Sequence, residues 1–397
     1  MAGPLEGIRV IDIGALIAGP LAATLLGDQG AEVIKVERPG VGDLFRHVGS
    51  SRGGMSGTFA LLNRGKRSLA LDLGQAQGVE IFLELARTAD VVIQNLRPGV
   101  VDRLGVGYEQ LRAVREDLVY LSLSGFGGSG PYAEKRVYDN VIQAYSGLAD
   151  GQTNPETDEP EFIRQLVTDK LTAYAGAQAV SSALLARERG RGGQHVELSM
   201  LDTAIAFLWP DRANDRILLG EDVVSQPPLG PSFKLMPLAD GHGTATAFSD
   251  AEFHGLCRAL DLAELASDPR LVDTAARMSN FKHLTYTYQH VIGPAARKLT
   301  REEFEKRLAA EDVPHGVVRR LDELAEDPQV VASGVFSERD HPVAGRMREP
   351  RHAARFLGTP LEPAEPAPAL GAHSDEILAE LGLSGRAPAL REAAVLA

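Results

Sequence analysis

Short runs rich in β-branched and aliphatic residues recur through the first 200 residues: IRVIDIG (8–14), AEVIKVE (31–37), RSLALDL (67–73), DVVIQNL (90–96), LVYLSLS (118–124) and HVELSM (195–200). Longer amphipathic stretches lie between them, among them Pro20–Asp28, Gln75–Thr88 and Tyr108–Arg115. Strands that alternate with helices predict a parallel sheet with crossover connections, so the expected class is α/β with a doubly wound layer.

After Arg164 the run QLVTDKLTAYAGAQAVSSALLARERGRGG reads as one long, largely buried helix that ends at the glycines of 190–193. Asp202 begins another helix, which Pro210 is expected to interrupt. From about residue 215 turn residues surround short strand-like pieces, and 251–312 is mainly helical and charged, which predicts a smaller α+β domain. The tail from 355 is proline-rich and extended, and it leads into a short helix, DEILAELGL, with an apolar stripe. A chain of 397 residues exceeds the roughly 250–300 at which one hydrophobic core stops growing, so two folding units are expected.

Charge narrows the partners. The formal net charge is −13, which opposes non-specific attraction to nucleic acid or to an anionic membrane surface, and a polyanionic ligand would need a local basic pocket. Cys257 is the one cysteine, which excludes an intrachain disulfide and cysteine zinc clusters and suits a cytoplasmic location. The N-terminus lacks a basic region ahead of an apolar one, so no signal peptide is expected, and no apolar stretch reaches the length of a membrane span.

The first β-α-β unit invites a dinucleotide reading, since Gly14, Gly19 and Gly30 flank a helix and Glu37 ends the second strand. The connecting GALIAGP lacks the G-x-G-x-x-G that brings backbone close to a pyrophosphate, which argues against nicotinamide binding. Basic residues follow the strands instead: Arg38 and Arg46 after the second, Arg64, Lys66 and Arg67 beside Asn63 in NRGKR, and Arg97 and Arg103 after the fourth. Solvated surface charge accounts for any one of them; three basic loops gathered at one sheet edge suggest a phosphate site. The glycine-rich SLSGFGGSGPY (122–132) is either a second place for an anion or a tight turn.

Asp169 stands at the start of a helix whose other positions are mostly small or apolar. A helix cap or an ion pair with Lys170 explains it as well as catalysis does. No G-x-S-x-G elbow occurs, and the ten histidines show no H-x-x-x-H or H-E-x-x-H spacing, so no metal is expected.

Taken in order, PLEGIRVIDIG…AGP, GAEVIKVERPGVGD, NRGKRSLALDL, VIQNLRPGVVDRLG, LSGFGGSGP, YDNVIQAYSGL, TDK at 168–170, GRGGQHVELSMLD, VPHGVV with EDP, and LGAHSDEILAELG resemble the type III CoA-transferases, the carnitine and bile-acid CoA-transferase group, over essentially the whole chain. The resemblance implies an acyl-CoA:carboxylate CoA-transferase in which Asp169 carries the acyl group and then coenzyme A, with neighbouring backbone N–H groups serving the oxyanions. It implies that Arg38, Arg67, Asn95, Arg97, Arg103, Tyr138 and Asp139 face coenzyme A, that acyl-CoA and a carboxylic acid are the ligands, and that no cofactor is tightly held. It further implies a Rossmann-like large domain from both chain ends (1–205 and 326–397), a linker (206–225), a small domain (226–325) and an interlocked homodimer.

Departures from the family pattern bear on the reaction. Ile17 stands where some formyl or oxalyl transferases have glutamine, and ADGHGTATAFSD lacks their glycine-rich run, which disfavours those substrates. The α-methylacyl-CoA racemases of similar fold use a histidine where this chain has Tyr138, and a phenol is a weak proton relay at neutral pH. A racemase and a CoA-binding homologue without chemistry are the alternatives.

Overall fold

A computed structural model describes residues 3–154, 156–224 and 234–397. The chain divides into two compact units, Met1–Leu208 with Val331–Ala397, and Trp209–Val330.

The first unit is organised by a six-stranded parallel sheet: β1 (Arg9–Asp12), β2 (Glu32–Glu37), β3 (Lys66–Ala70), β4 (Val91–Gln94), β5 (Val119–Ser124) and β6 (Gln194–Ser199). Their spatial order is 3-2-1-4-5-6, the doubly wound arrangement in which strand order reverses between β1 and β4. All six predicted strands are present. Their runs are apolar at consecutive positions because alternate side chains enter different cores. Val10, Val33, Val91, Val119 and Leu121 pack on one face with α1 (Ala18–Gly27) and a long helix, Val167–Ala186. Ile11, Ile34, Leu69, Val92 and Tyr120 pack on the other with Phe82, Leu111 and Ile377. Small residues let the long helix approach closely: a Cβ on Gly176 would come within 3.1 Å of Leu121.

The returning chain end closes the open side of β3. Ser68 donates its backbone N–H to His373 Nδ1 and accepts from the His373 N–H, and Asp72 donates to the Val395 carbonyl. An exposed edge that could pair with another chain is thereby covered. Within the same segment, Phe336–His341 and Gly345–Pro350 form a two-stranded antiparallel hairpin that the sequence pattern had not suggested.

The second unit holds a three-stranded antiparallel sheet, with Gly241–Ala245 between Met236–Leu238 and His315–Val317. Helices Asp250–Ala259 and Arg301–Ala310 pack on it through Phe253, Leu256, Phe304 and Leu308. Both helices begin in capping boxes, Ser249 with Glu252 and Thr300 with Glu303, which satisfy N–H groups the helix itself cannot. The expected α+β character is present. The interruption expected at Pro210 is corrected, because Met200–Arg212 is one helix with Pro210 inside it; the division between the two units falls at Leu208 and Trp209, within the stretch 206–225 read as a linker. Residues 225–233, part of that linker and of the predicted start of the small domain, lie outside the described residues.

Candidate active site

The carboxyl ends of β1, β2 and β3 open into a cleft of about 540 Å³, lined by Gly14, Ala15, Arg38, Asp43, Asp72 and Leu96 among others. Ligands of open α/β sheets bind on this side. Its wall is held by side chains that take the backbone N–H groups of the loop after β1. Gly14 donates to Asp12 Oδ1 (2.8 Å), Ala15 to Asn95 Oδ1 (2.7 Å) and Leu16 to Asp43 Oδ2 (3.1 Å). Asn95 also donates to the Ala15 carbonyl (2.8 Å), so its amide engages both backbone polar groups of Ala15. A Cβ on Gly14 would lie 2.9 Å from Asp12 Oδ1 and 3.1 Å from Asn95 Oδ1, so glycine is required there. With these three N–H groups occupied, the loop has none of them to offer a pyrophosphate.

Buried charge underlies the cleft. Lys35 reaches Asp12 (3.5 Å) and Asp43 (3.3 Å), Lys66 bonds Asp12 (2.8 Å), and Arg46 closes on Glu37 (2.6 Å) while lying over the Phe59 ring. Burial works against the Asp12 carboxylate, yet Lys35 and Lys66 together hold its pKa below the ordinary value. Lys66 is pushed down to about 8, chiefly by burial and also by Lys35, against the pull of Asp12. These groups fix the loops that shape the cleft.

Arg38 lines the cleft, and Arg97 and Arg103 are exposed on the segment after β4 that supplies Leu96 and Leu104 to its wall. Arg67 is elsewhere: it bonds Glu32 (2.7 Å) and Glu380 (2.7 Å), and Glu32 is the first residue of β2. Arg67 therefore sits at the amino ends of the strands, neutralised, and the expectation that it faces coenzyme A is corrected. Arg64 likewise closes on Asp28 (2.5 Å). In the glycine-rich turn, a Cβ on Gly125 would strike Val137 at 2.2 Å, and Gly127 donates to Ser124 Oγ (3.0 Å).

Asp169 lies in the first turn of the long helix, Val167–Ala186. At the other end of that helix Arg187 pairs with Asp90 (3.0 Å), the residue just before β4. The helix thus runs antiparallel to the strands, and its start is on the carboxyl edge, the same edge as the cleft. Among the described residues no hydrogen bond or ion pair reaches the Asp169 carboxylate; Lys170 bonds Gln165 Oε1 (3.1 Å) instead. Burial and the nearby Asp139 raise Asp169 to about 7. The two bland roles for Asp169, cap and partner of Lys170, are both absent.

The cap is Asp139, at the start of a second helix, Asp139–Ser146, and 2% exposed. Its Oδ2 accepts from the N–H groups of Thr168 (2.7 Å) and Asp169 (3.1 Å) and from Thr168 Oγ1 (2.8 Å). Its Oδ1 accepts from Gln143 Nε2 (2.6 Å). Asp139 is thus enclosed within the protein, which corrects the expectation that its side chain faces coenzyme A; Tyr138 beside it is 67% exposed. The N–H groups of Thr168 and Asp169 are taken as well, so neither is available for an oxyanion. The resemblance singles out Asp139 as a residue facing coenzyme A, but nothing in the sequence signals that it pairs with a helix start thirty residues further on.

A doubly wound sheet with a cleft at the carboxyl ends of its strands places the chain among the α/β proteins that bind ligands at that edge. Residues 5–374 match CoA-transferase family III. The chain belongs to that family and is a CoA-transferase enzyme. It is 31% identical over 391 residues to succinyl-CoA:glutarate CoA-transferase of Homo sapiens, covering 95% of this chain and 86% of that one. It is 32% identical over 392 residues to succinate–glutarate CoA-transferase of Agrobacterium fabrum, covering 95% and 96%. The crystal structure of a CAIB/BAIF family protein from Brucella suis superposes with a TM-score of 0.82 at 32% identity, over 96% of this chain and all of that one.

Proposed function

We propose that the protein moves coenzyme A between two carboxylic acids through covalent intermediates on Asp169. The supporting observation is the half-buried, unpaired Asp169 carboxylate on the ligand edge, raised to about 7. A carboxylate with an elevated pKa is a better nucleophile than an ordinary one and is still ionised in useful amount at neutral pH. An Asp169 oxygen attacks the thioester carbonyl carbon, a C–O bond forms, the C–S bond breaks and its electron pair leaves on coenzyme A sulfur. The thiolate then attacks the Asp169 carbonyl carbon of the anhydride, and the donor acid departs as its carboxylate. The acceptor acid reverses both steps with a new acyl group, regenerating the aspartate.

In this reading Arg38, Arg97 and Arg103 meet the phosphates of coenzyme A, which supply the anionic ligand that a chain of net charge −13 binds only at a local basic site. Two chains form an interlocked homodimer. The names of relatives make short dicarboxylic acids the first acceptors to test, with oxalate included because acetyl-CoA:oxalate CoA-transferase of Acetobacter aceti is 35% identical over 342 residues. The test is exchange of isotope-labelled acid into its CoA thioester with a panel of donors. The expected result is exchange with at least one pair, ping-pong kinetics, and loss of exchange in Asp169→Ala; undiminished exchange in that variant overturns the proposal.

A further inference from the structure

We propose that Asp139 is a positioning residue for the acyl carrier: it fixes the helix turn from which Asp169 projects and sets a second carboxylate behind it, so that acylation of Asp169 relieves a repulsion built into the fold. The inference rests on the proposed role of Asp169. Asp139 is buried, four donor contacts from Thr168, Asp169 and Gln143 converge on its two oxygens, and every partner is a donor, which is the pattern of an acceptor-only carboxylate. Asp139 lies in the first turn of its own helix and caps the helix of Asp169, so two helix N-termini, each favouring negative charge, meet on one side chain.

An ordinary serine or asparagine would cap the helix as well. What a carboxylate adds is charge close to Asp169. Other charged or titratable groups on the elements around this helix start are Tyr138, Tyr145, Arg164 and Lys170. Lys135 engages Tyr145, and Lys170 engages Gln165; Asp139 is the group that acts on Asp169 electrostatically. When the Asp169 oxygen bonds the acyl carbon and the C–S electron pair leaves with sulfur, the aspartyl side chain becomes neutral and the charge moves to the thiolate. The repulsion from Asp139 therefore opposes the resting carboxylate and vanishes in the anhydride and in the aspartyl thioester, which favours acylation relative to the resting state.

The experiment measures the acylation rate of Asp169 against pH by rapid quench with acyl-CoA, in the full chain and in Asp139→Asn and Asp139→Ser, both of which keep a capping oxygen. The expected result is an acid limb lower by about one pH unit in the variants, and acylation above pH 8 slowed about threefold through lost nucleophilicity, with thermal unfolding showing a folded chain. An unshifted limb with only a lowered melting temperature makes Asp139 a structural cap and overturns the inference. Should neither variant fold, Asp139→Glu, which keeps the charge but moves it, decides: a shifted acid limb upholds the inference, and a limb identical to that of the wild type overturns it. No adduct in the wild-type chain under any condition is a different failure, that of the proposed transferase mechanism.

Discussion

Replacing Asp169 with asparagine is expected to abolish turnover and, above neutral pH, to make the protein more stable. The carboxyl moves from an ordinary 3.8 to about 7 in the folded chain, through burial and Asp139. Each tenfold change in proton affinity is worth about 1.4 kcal/mol, so the ionised side chain costs the fold at most about 4 kcal/mol. Asp169 is only half-buried, and access of water reduces this to about 1–2 kcal/mol. The sign follows from proton linkage: between these two pKa values the folded chain holds the proton that the unfolded chain has lost, so stability falls as pH rises through that window and is level above it. Asparagine does not titrate. Urea unfolding of both proteins at pH 4.5, 6 and 8 should show a gap near zero at the acid end that grows to about 1–2 kcal/mol in favour of the variant at pH 8. A gap independent of pH, or a variant less stable at pH 8, refutes the reasoning.

Three further outcomes are expected. Arg38→Ala should raise KM for the CoA thioester about tenfold and weaken its salt dependence, whereas Arg67→Ala, whose side chain is held by Glu32 and Glu380, should leave that KM unchanged; steady-state kinetics at two ionic strengths separates them. Lys66→Met removes one of the two cations on buried Asp12 and should destabilise the chain by about 3 kcal/mol in urea unfolding. Cys257 is buried, and burial pushes its thiol up to about 11, so a thiol reagent at pH 8 should label it only after denaturation.

The strands of the large unit were legible because burial on both faces makes each a run of consecutive apolar residues, as at Val10 and Ile11, whose side chains enter different cores. The hairpin of Phe336–His341 and Gly345–Pro350 was not. Its strands are held in part by charge, with Glu338 between Arg346 and Arg348 and Arg339 on Glu349, so they carry no apolar periodicity. The basic run at 64–67 was misread for a similar reason. Its partners Asp28, Asp12 and Glu380 are remote in sequence, and local composition shows cations without showing what neutralises them. Asp169 was visible as a carboxylate opening an apolar helix, and the family resemblance singled it out; what the sequence could not show is that Asp139 caps that helix and that Lys170 bonds Gln165, which leaves Asp169 in neither of its two ordinary roles.

The central claim is a covalent one, and a covalent bond can be weighed. Incubation of the protein with an acyl-CoA, rapid acid quench, proteolysis and mass spectrometry should find the peptide containing Asp169 heavier by coenzyme A joined as a thioester, with the mass lost on treatment with hydroxylamine. An unmodified Asp169 peptide throughout turnover, together with full activity in Asp169→Ala, would contradict the account.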